Sequence, residues 1–309
     1  MIKAGIIEAE IIGNQEIARE VYRMILRYGD AGGMQAAFNN SQPGQFINVY
    51  LRDRSMILPR PLSICSAEED RITLVYRIVG KGTKELSGYR EGELLRISTP
   101  LGRGYDLDHV FWTLNRAGAD SPEKGRLCAV GKTVALVAGG LGVPPMVGLA
   151  KTIRIMLEKN KDGANPVRLI AALGFQDEPF LTEELRESCD EVHIATDSGT
   201  SGLRGNVMEM MEAKGIKADY YLSCGPKPML KSLAEYCAAA NKPLQLSLEE
   251  RMGCGYGACV GCACRIKEKI RDRGAAGGNT GAEAGTVIKR KKVCTDGPVF
   301  FGEEVVWDE

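Results

Sequence analysis

Histidine is nearly absent from this chain of 309 residues: His109 and His193 are the only two. Neither stands in a Ser-His-Asp pattern or beside paired carboxylates, and His193 falls inside a strand-like run, so hydrolytic acid–base chemistry has no obvious carrier. Net charge is lacking as well. Lys+Arg and Asp+Glu both number 40, which leaves no basic surface to attract nucleic acid or an anionic membrane. No apolar run reaches the length needed to span a bilayer. The opening MIKAGIIEAEII carries Glu8 and Glu10 where a signal peptide needs an unbroken apolar stretch. The expectation is a cytoplasmic protein with neither a nucleic-acid nor a membrane partner.

Cysteine, by contrast, is plentiful. Of ten, Cys65, Cys128, Cys189, Cys224 and Cys237 are scattered, Cys254, Cys259, Cys262 and Cys264 crowd together, and Cys294 follows alone. In a cytoplasmic chain such residues read as metal ligands or small buried groups rather than disulfides. The length exceeds one ordinary core and 44% of residues are hydrophobic, so two or three domains are expected.

The organisation changes along the chain. Residues 1–105 carry the strand-like runs IKAGIIEAEII, EIAREVYRMILRY, GQFINVYL, RITLVYRIVG and ELLRISTP, separated by turn residues, which predicts a small antiparallel barrel. Residues 106–131, with NRAGADSPEKGRLCAVG, lose periodicity and read as a linker. Over 132–243 the strands TVALVAGG, PVRLIAALG, EVHIAT and YYLSCG alternate with the helical stretches VPPMVGLAKTIRIMLEK, TEELRESC and KPMLKSLAEYCAAAN, predicting a parallel sheet. Residues 244–309 form a Cys- and Gly-rich segment in which RDRGAAGGNTGAEAGT (271–286) reads as an exposed loop. The expected fold is therefore α+β and multidomain: an antiparallel β-barrel, an α/β parallel-sheet domain and a small C-terminal domain.

Cys254, Cys259 and Cys262, with Cys294 downstream, give C-x4-C-x2-C…C, the spacing of plant-type [2Fe–2S] ligation. Gly253, Gly255, Gly257 and Gly261 let the backbone close around a cluster and aim N–H groups at sulfur. A structural zinc site would show two C-x2-C halves where one is present; buried free thiols are the alternative without chemistry. Cys264 alternates with Cys262 across the strand-like CACRI and is expected not to be a ligand.

Other motifs are weak one at a time. Arg60-Pro61-Leu62-Ser63 reads alone as a turn into a strand, Val75-Tyr76-Arg77 as part of a strand, and Gly80-Lys81-Gly82-Thr83 as a loop. The turn Gly139-Gly140-Leu141-Gly142 ends a buried strand and opens a helix, where small residues admit a pyrophosphate, although it departs from GxGxxG. Cys224-Gly225-Pro226-Lys227-Pro228-Met229 ends a later strand, and Cys224 alone reads as a buried cysteine. Thr196-Asp197-Ser198-Gly199 ends another. Asp177 and Glu178 follow the second parallel strand with no nearby Arg, which suits the free ribose hydroxyl of NAD better than a 2′-phosphate.

Taken together these motifs resemble the ferredoxin–NADP reductase superfamily, including its PGQF strand at 43–46. The resemblance implies FAD held by Arg60, Pro61, Leu62, Ser63, Val75, Tyr76, Arg77, Gly82 and Thr83. Arg60 would lie on the pyrophosphate, Ser63 by the flavin N5, and the Gly82-Thr83 amides on phosphate. It further implies NAD at Gly139, Gly140, Gly142, Asp197, Gly225 and Pro226, with Cys224 near the reactive nicotinamide, so that Ser63 and Cys224 are the candidate catalytic residues. The order of the three segments, with RPLS, MGCGYGACVGC (252–262) and VCTDGPVF (293–300), resembles the electron-transfer subunits of NAD-dependent (type B) dihydroorotate dehydrogenase. That family implies an FMN-containing catalytic partner oxidising dihydroorotate in de novo pyrimidine (UMP) biosynthesis. Its electrons would pass through [2Fe–2S] and FAD to NAD+, in a heterotetramer of two chains of each kind. An apolar docking surface near the cluster would draw on Met252, Tyr256, Val260, Val299 and Phe300. The segments 113–131 and 268–290 look longer than is usual there. The rival readings are the small subunit of an NADH-dependent ferredoxin–NADP oxidoreductase or a sulfide dehydrogenase-like complex, and a cluster-bearing sensor module, against which RPLS and CGPKPM argue.

Overall fold

The computed structural model describes residues 5–29, 35–116, 131–159, 167–271 and 283–307. Six strands close an antiparallel barrel: β1 (Ile6–Ala18), β2 (Val21–Arg27), β3 (Phe46–Tyr50), β4 (Arg60–Glu68), β5 (Arg71–Arg77) and β6 (Leu94–Ser98), in the order β1-β2-β5-β4-β3-β6. Alternation drives it. Ile7, Ala9 and Ile11 point into the barrel core while Glu8 faces out. The sequence divides β1 at Gly13-Asn14, yet it is one strand of 13 residues. A register shift between Ile11 and Gly13 absorbs the irregularity, and Asn14 Nδ2 donates to the carbonyls of Leu86 (2.9 Å) and Tyr89 (3.0 Å). Two short helices, α1 (Gln35–Asn39) and α2 (Lys81–Ser87), flank the barrel. The stretch read as a Gly-Thr loop thus opens α2, because Thr83 Oγ1 accepts from the amides of Val79 (2.9 Å) and Gly80 (3.3 Å).

The presumed linker at 106–131 begins with a helix, α3 (Leu107–Arg116). Asp106 Oδ1 accepts from the His109 amide at 2.9 Å, and Val110, Phe111 and Leu114 bury one helical face. Its continuation, with Cys128, lies outside the described residues. Then follow β7 (Thr133–Gly139), a 3-10 turn at Gly140–Gly142, α4 (Val143–Lys159), β8 (Arg168–Phe175), α5 (Thr182–Arg186), β9 (Glu191–Thr196), β10 (Leu203–Arg204), α6 (Val207–Ala213), β11 (Tyr220–Cys224), α7 (Lys227–Ala239) and β12 (Leu244–Ser247). The helix α6 went unread in the sequence; Asn206 caps it, its Oδ1 accepting from the amides of Met208 (2.9 Å) and Glu209 (3.0 Å).

The last segment supplies a hairpin, β13 (Ala263–Arg271) with β14 (Glu283–Lys292), and a short strand β15 (Val299–Phe301). Residues 283–286 are therefore strand rather than loop, while 272–282 lie outside the described residues. The large sheet runs β10-β9-β8-β7-β11-β12-β15, parallel through β12 with β15 antiparallel at the edge. Two of its strands thus come from the segment that the sequence set apart at 244. One face packs on α3, α4 and α5 and on barrel residues Ala18, Val21, Cys65 and Val75. The other packs on α6, α7 and the cysteine-rich segment, joined by Phe46 of the barrel. Among the described residues no helix is long and apolar enough to cross a membrane.

Candidate functional site

The loop 253–262 lies against the barrel and the end of β14. Gly255 (φ +75°) and Gly257 (φ +86°) occupy conformations that side chains rarely adopt. A Cβ at Gly257 would meet Thr295 Cγ2 at 2.8 Å. The four expected ligands fall into two pairs: the Cys259 amide donates to Cys254 Sγ at 3.3 Å, and Cys262 Sγ lies 3.3 Å from Cys294 Sγ. Among the described residues, no three or more His, Cys, Asp or Glu side chains converge on one ion. Two thiol pairs on one loop and the next strand end instead suit a binuclear cluster, two thiolates to each iron. Burial pushes the Cys254 thiol up, but donation from the amides of Cys259, Tyr256 and Ala258 outweighs it and holds the group at about 6. Cys254 is therefore a ready thiolate, and the donor set fits [2Fe–2S]. Burial, and then Cys262, push Cys294 up to about 12. Cys264, half-buried on β13 opposite Lys291, is pushed up to about 11 by burial and stays out of both pairs.

Two motifs far apart in sequence meet on the barrel. Arg60 donates from Nη1 to the Leu58 carbonyl (2.6 Å), and its guanidinium lies where a Cβ on Gly82 would stand, 2.6 Å from Cζ. Ile57 (85% exposed) and Leu58 (55%), in the loop whose carbonyl holds Arg60, and Val79 (79%), just ahead of α2, are exposed apolar side chains. A half-buried cation with exposed apolar side chains nearby fits a dinucleotide with a flat ring. Pro61 pairs in register with Asn48, and Ser63 with Phe46. The Tyr76 side chain is committed to the barrel: its hydroxyl donates to Asn14 Oδ1 at 2.9 Å and its ring stacks on Tyr22. Val75 is buried in the shared core.

A cleft of about 640 Å³ opens between the barrel and the sheet's carboxyl edge. Gly139, Gly140, Asp197, Pro226 and Arg77 line it, with Asp177 and Glu178. The Arg77 Nε is buried with no partner among the described residues, a spare donor on a side chain that lines this cleft. Gly142 and Gly225 sit one layer down. The Cys224 backbone leaves no room for a side chain at Gly142, and a Cβ on Gly225 would meet Gly139 N at 3.0 Å. The two nicotinamide motifs thus close on each other as β11 pairs β7, Cys224 opposite Ala138. Burial pushes the Cys224 thiol up to about 12, so it is neutral at physiological pH. Asp177 Oδ1 accepts from Ser198 Oγ at 2.8 Å, while Glu178 accepts from the Arg19 amide at 3.0 Å. Glu249 joins the cleft unannounced by any motif, and burial raises its pKa. The histidines are structural: His109 Nδ1 meets the Tyr220 hydroxyl at 2.9 Å, and His193 pairs with Glu191.

With this geometry in view, the likeness to known proteins is specific. A family model for the iron-sulfur cluster binding domain of dihydroorotate dehydrogenase B matches residues 249–274. Over 300 residues the chain is 35% identical to the electron transfer subunit of dihydroorotate dehydrogenase B (NAD(+)) from Caldanaerobacter subterraneus subsp. tengcongensis, covering 97% of this chain and 98% of that one. The corresponding subunit of Geobacillus kaustophilus is 38% identical over 270 residues, 86% of this chain and 87% of its own. Among solved structures, an NADH-dependent reduced ferredoxin–NADP oxidoreductase chain aligns with TM-score 0.68 and 23% identity over 97% of this chain and 90% of its own. A Malassezia yamatoensis flavohemoglobin with bound FAD and heme aligns with TM-score 0.55 and 16% identity over 77% of this chain and 57% of its own. Both share the fold.

Proposed function

Since the chain belongs to the family of electron transfer subunits of dihydroorotate dehydrogenase B, we propose that it passes electrons from a dihydroorotate-oxidising, FMN-containing partner to NAD+, using [2Fe–2S] and FAD, in pyrimidine biosynthesis. The observation that carries this reading is that all three candidate sites adjoin the neighbouring barrel strands β3, β4 and β5. Ser63 of the flavin motif pairs with Phe46, and Phe46 packs in the same core as Cys262 and Cys294. On the other side, Arg77 of the barrel shares the cleft with Gly139, Gly140 and Pro226. The flavin supplies the exchange between single electrons and a hydride, which neither the cluster nor NAD+ can make alone.

The chain's own work is positioning. Arg60 and Arg77 bind phosphate, the first half-buried on the barrel, the second with its Nε unpaired. Ser63 orients the flavin ring. Gly139, Gly140 and Gly142 let the dinucleotide approach the start of α4, and Asp197 and Pro226 bound its ribose side. Cys224, buried and neutral, walls the reacting end against water. Cys254, Cys259, Cys262 and Cys294 hold the cluster. Tyr256 (59% exposed) and Val260 (63%) offer an apolar docking surface for the partner; Val299 and Phe300 lie in the core and drop out of it. We further propose a heterotetramer of two chains of each kind. The test is co-purification with the dehydrogenase and a dihydroorotate–NAD+ assay. The isolated chain should reduce artificial acceptors with NADH yet leave dihydroorotate untouched. Turnover of dihydroorotate by this chain alone, or no NAD+ reduction with the dehydrogenase present, refutes the reading.

A further inference from the structure

β3 breaks a local rule. Ile47 and Val49 point into the barrel core, but Asn48 between them is 1% exposed, in a strand interior where asparagine is disfavoured. Such violations mark strained or functional positions. Its side chain leaves the barrel on the same outer face as Phe46, two residues along, and beside Pro61 of the flavin motif. There Nδ2 donates to the carbonyl of Cys254 at 2.8 Å, across 206 residues of chain. A carbonyl can only accept, so the amide orientation is fixed by its partner. Oδ1 is left buried and without a partner among the described residues. Gly255 closes directly over this amide, where a Cβ would stand 2.6 Å from Nδ2. The Asn48 amide N–H is committed too, donating to Ser98 Oγ at 2.9 Å.

We infer that Asn48 is the positioning residue by which the flavin barrel holds the cluster loop, fixing the backbone of its first ligand. The loop is otherwise tied mainly to its own segment: the Val293 amide donates to the Cys262 carbonyl (2.9 Å) and Lys292 Nζ to the Gly257 carbonyl (2.6 Å). The first secures the half carrying Cys262 and Cys294, and the second ties the turn at Gly257, between Cys254 and Cys259, to the end of β14. The backbone of Cys254 itself is held from the barrel, by Asn48. Outer partners of this kind orient a ligand and tune what it holds. The inference rests on the electron-transfer reading above, because it gives the barrel a cofactor to be aligned with the cluster.

The experiment compares the purified full-length wild-type chain with Asn48→Ala and Asn48→Leu. The second keeps the volume without the donor and serves if the first folds poorly. Three quantities are read under anaerobic conditions: cluster loss to a chelator, the paramagnetic resonance of the reduced cluster, and the separate rates of flavin and cluster reduction by NADH. Both variants should lose the cluster on the order of 10–100-fold faster, show a shifted resonance and reduce the cluster more slowly, with flavin reduction at the wild-type rate. Equal slowing of flavin and cluster would show general loosening and overturn the inference, as would an unchanged resonance and chelator rate. A wild-type chain that binds no flavin or no cluster would instead overturn the electron-transfer reading itself.

Discussion

Gly82→Ala separates the flavin seat from the fold. Gly82 is buried in the first turn of α2, and an added Cβ would stand 2.5–2.6 Å from Nη2 and Cζ of Arg60. What must move is the far end of a flexible side chain, so the backbone is spared. Alanine also suits a helix better than glycine, by about 1 kcal/mol. Stability of the cofactor-free protein should therefore stay level or rise. FAD binding should move the opposite way, because the displaced guanidinium forfeits a charge-assisted contact of about 1.5–3 kcal/mol. At about 1.4 kcal/mol per tenfold, that is roughly 10–150-fold in Kd. The assay is FAD titration of deflavinated protein by flavin fluorescence, beside thermal unfolding of the same samples without cofactor. Arg60→Ala should weaken FAD similarly, and adding Gly82→Ala to it should change little further, since both act through one contact. Unchanged FAD affinity in Gly82→Ala, or losses that simply add, would show that Arg60 does not touch the cofactor. A fall in cofactor-free stability would refute the claim that only a side chain yields.

Three further outcomes follow. Cys294→Ser should lose or severely weaken the cluster, while Cys264→Ser should keep it; paramagnetic resonance of the reduced proteins decides, and a normal signal from the first or none from the second contradicts the paired-thiol arrangement. NADH should be preferred over NADPH because Asp177 and Asp197 border the cleft; an equal or higher kcat/KM with NADPH would remove them from ribose recognition. With its thiol pushed up to about 12 by burial, Cys224 should resist iodoacetamide at pH 8 in the folded chain; peptide mapping that finds it alkylated as fast as in unfolded protein would show the β11 end to be open.

Much was legible because it is written in spacing. The C-x4-C-x2-C run needs no tertiary knowledge, since one loop must wrap one cluster, and the alternation of strands and helices over 132–243 carries the parallel sheet in its periods. Alternation likewise announced the barrel, though not that β1 runs through Gly13, because a bulge is a property of the pair rather than of either strand. Helix α3 was missed although Leu107, Val110, Phe111 and Leu114 mark one helical face, because it is only ten residues long and runs into a stretch without periodicity. The strands β12 and β15 were invisible as sheet members because pairing partners are chosen in space. What the residues alone determined is the chemistry at hand: four cysteines at cluster spacing, an Arg-Pro-x-Ser box and a glycine turn at a strand end. What only the tertiary structure decided is adjacency. It brings Arg60 onto Gly82, Gly142 under Cys224 and Asn48 onto Cys254, and close packing, which no one-dimensional pattern records, is what turns three weak motifs into one path.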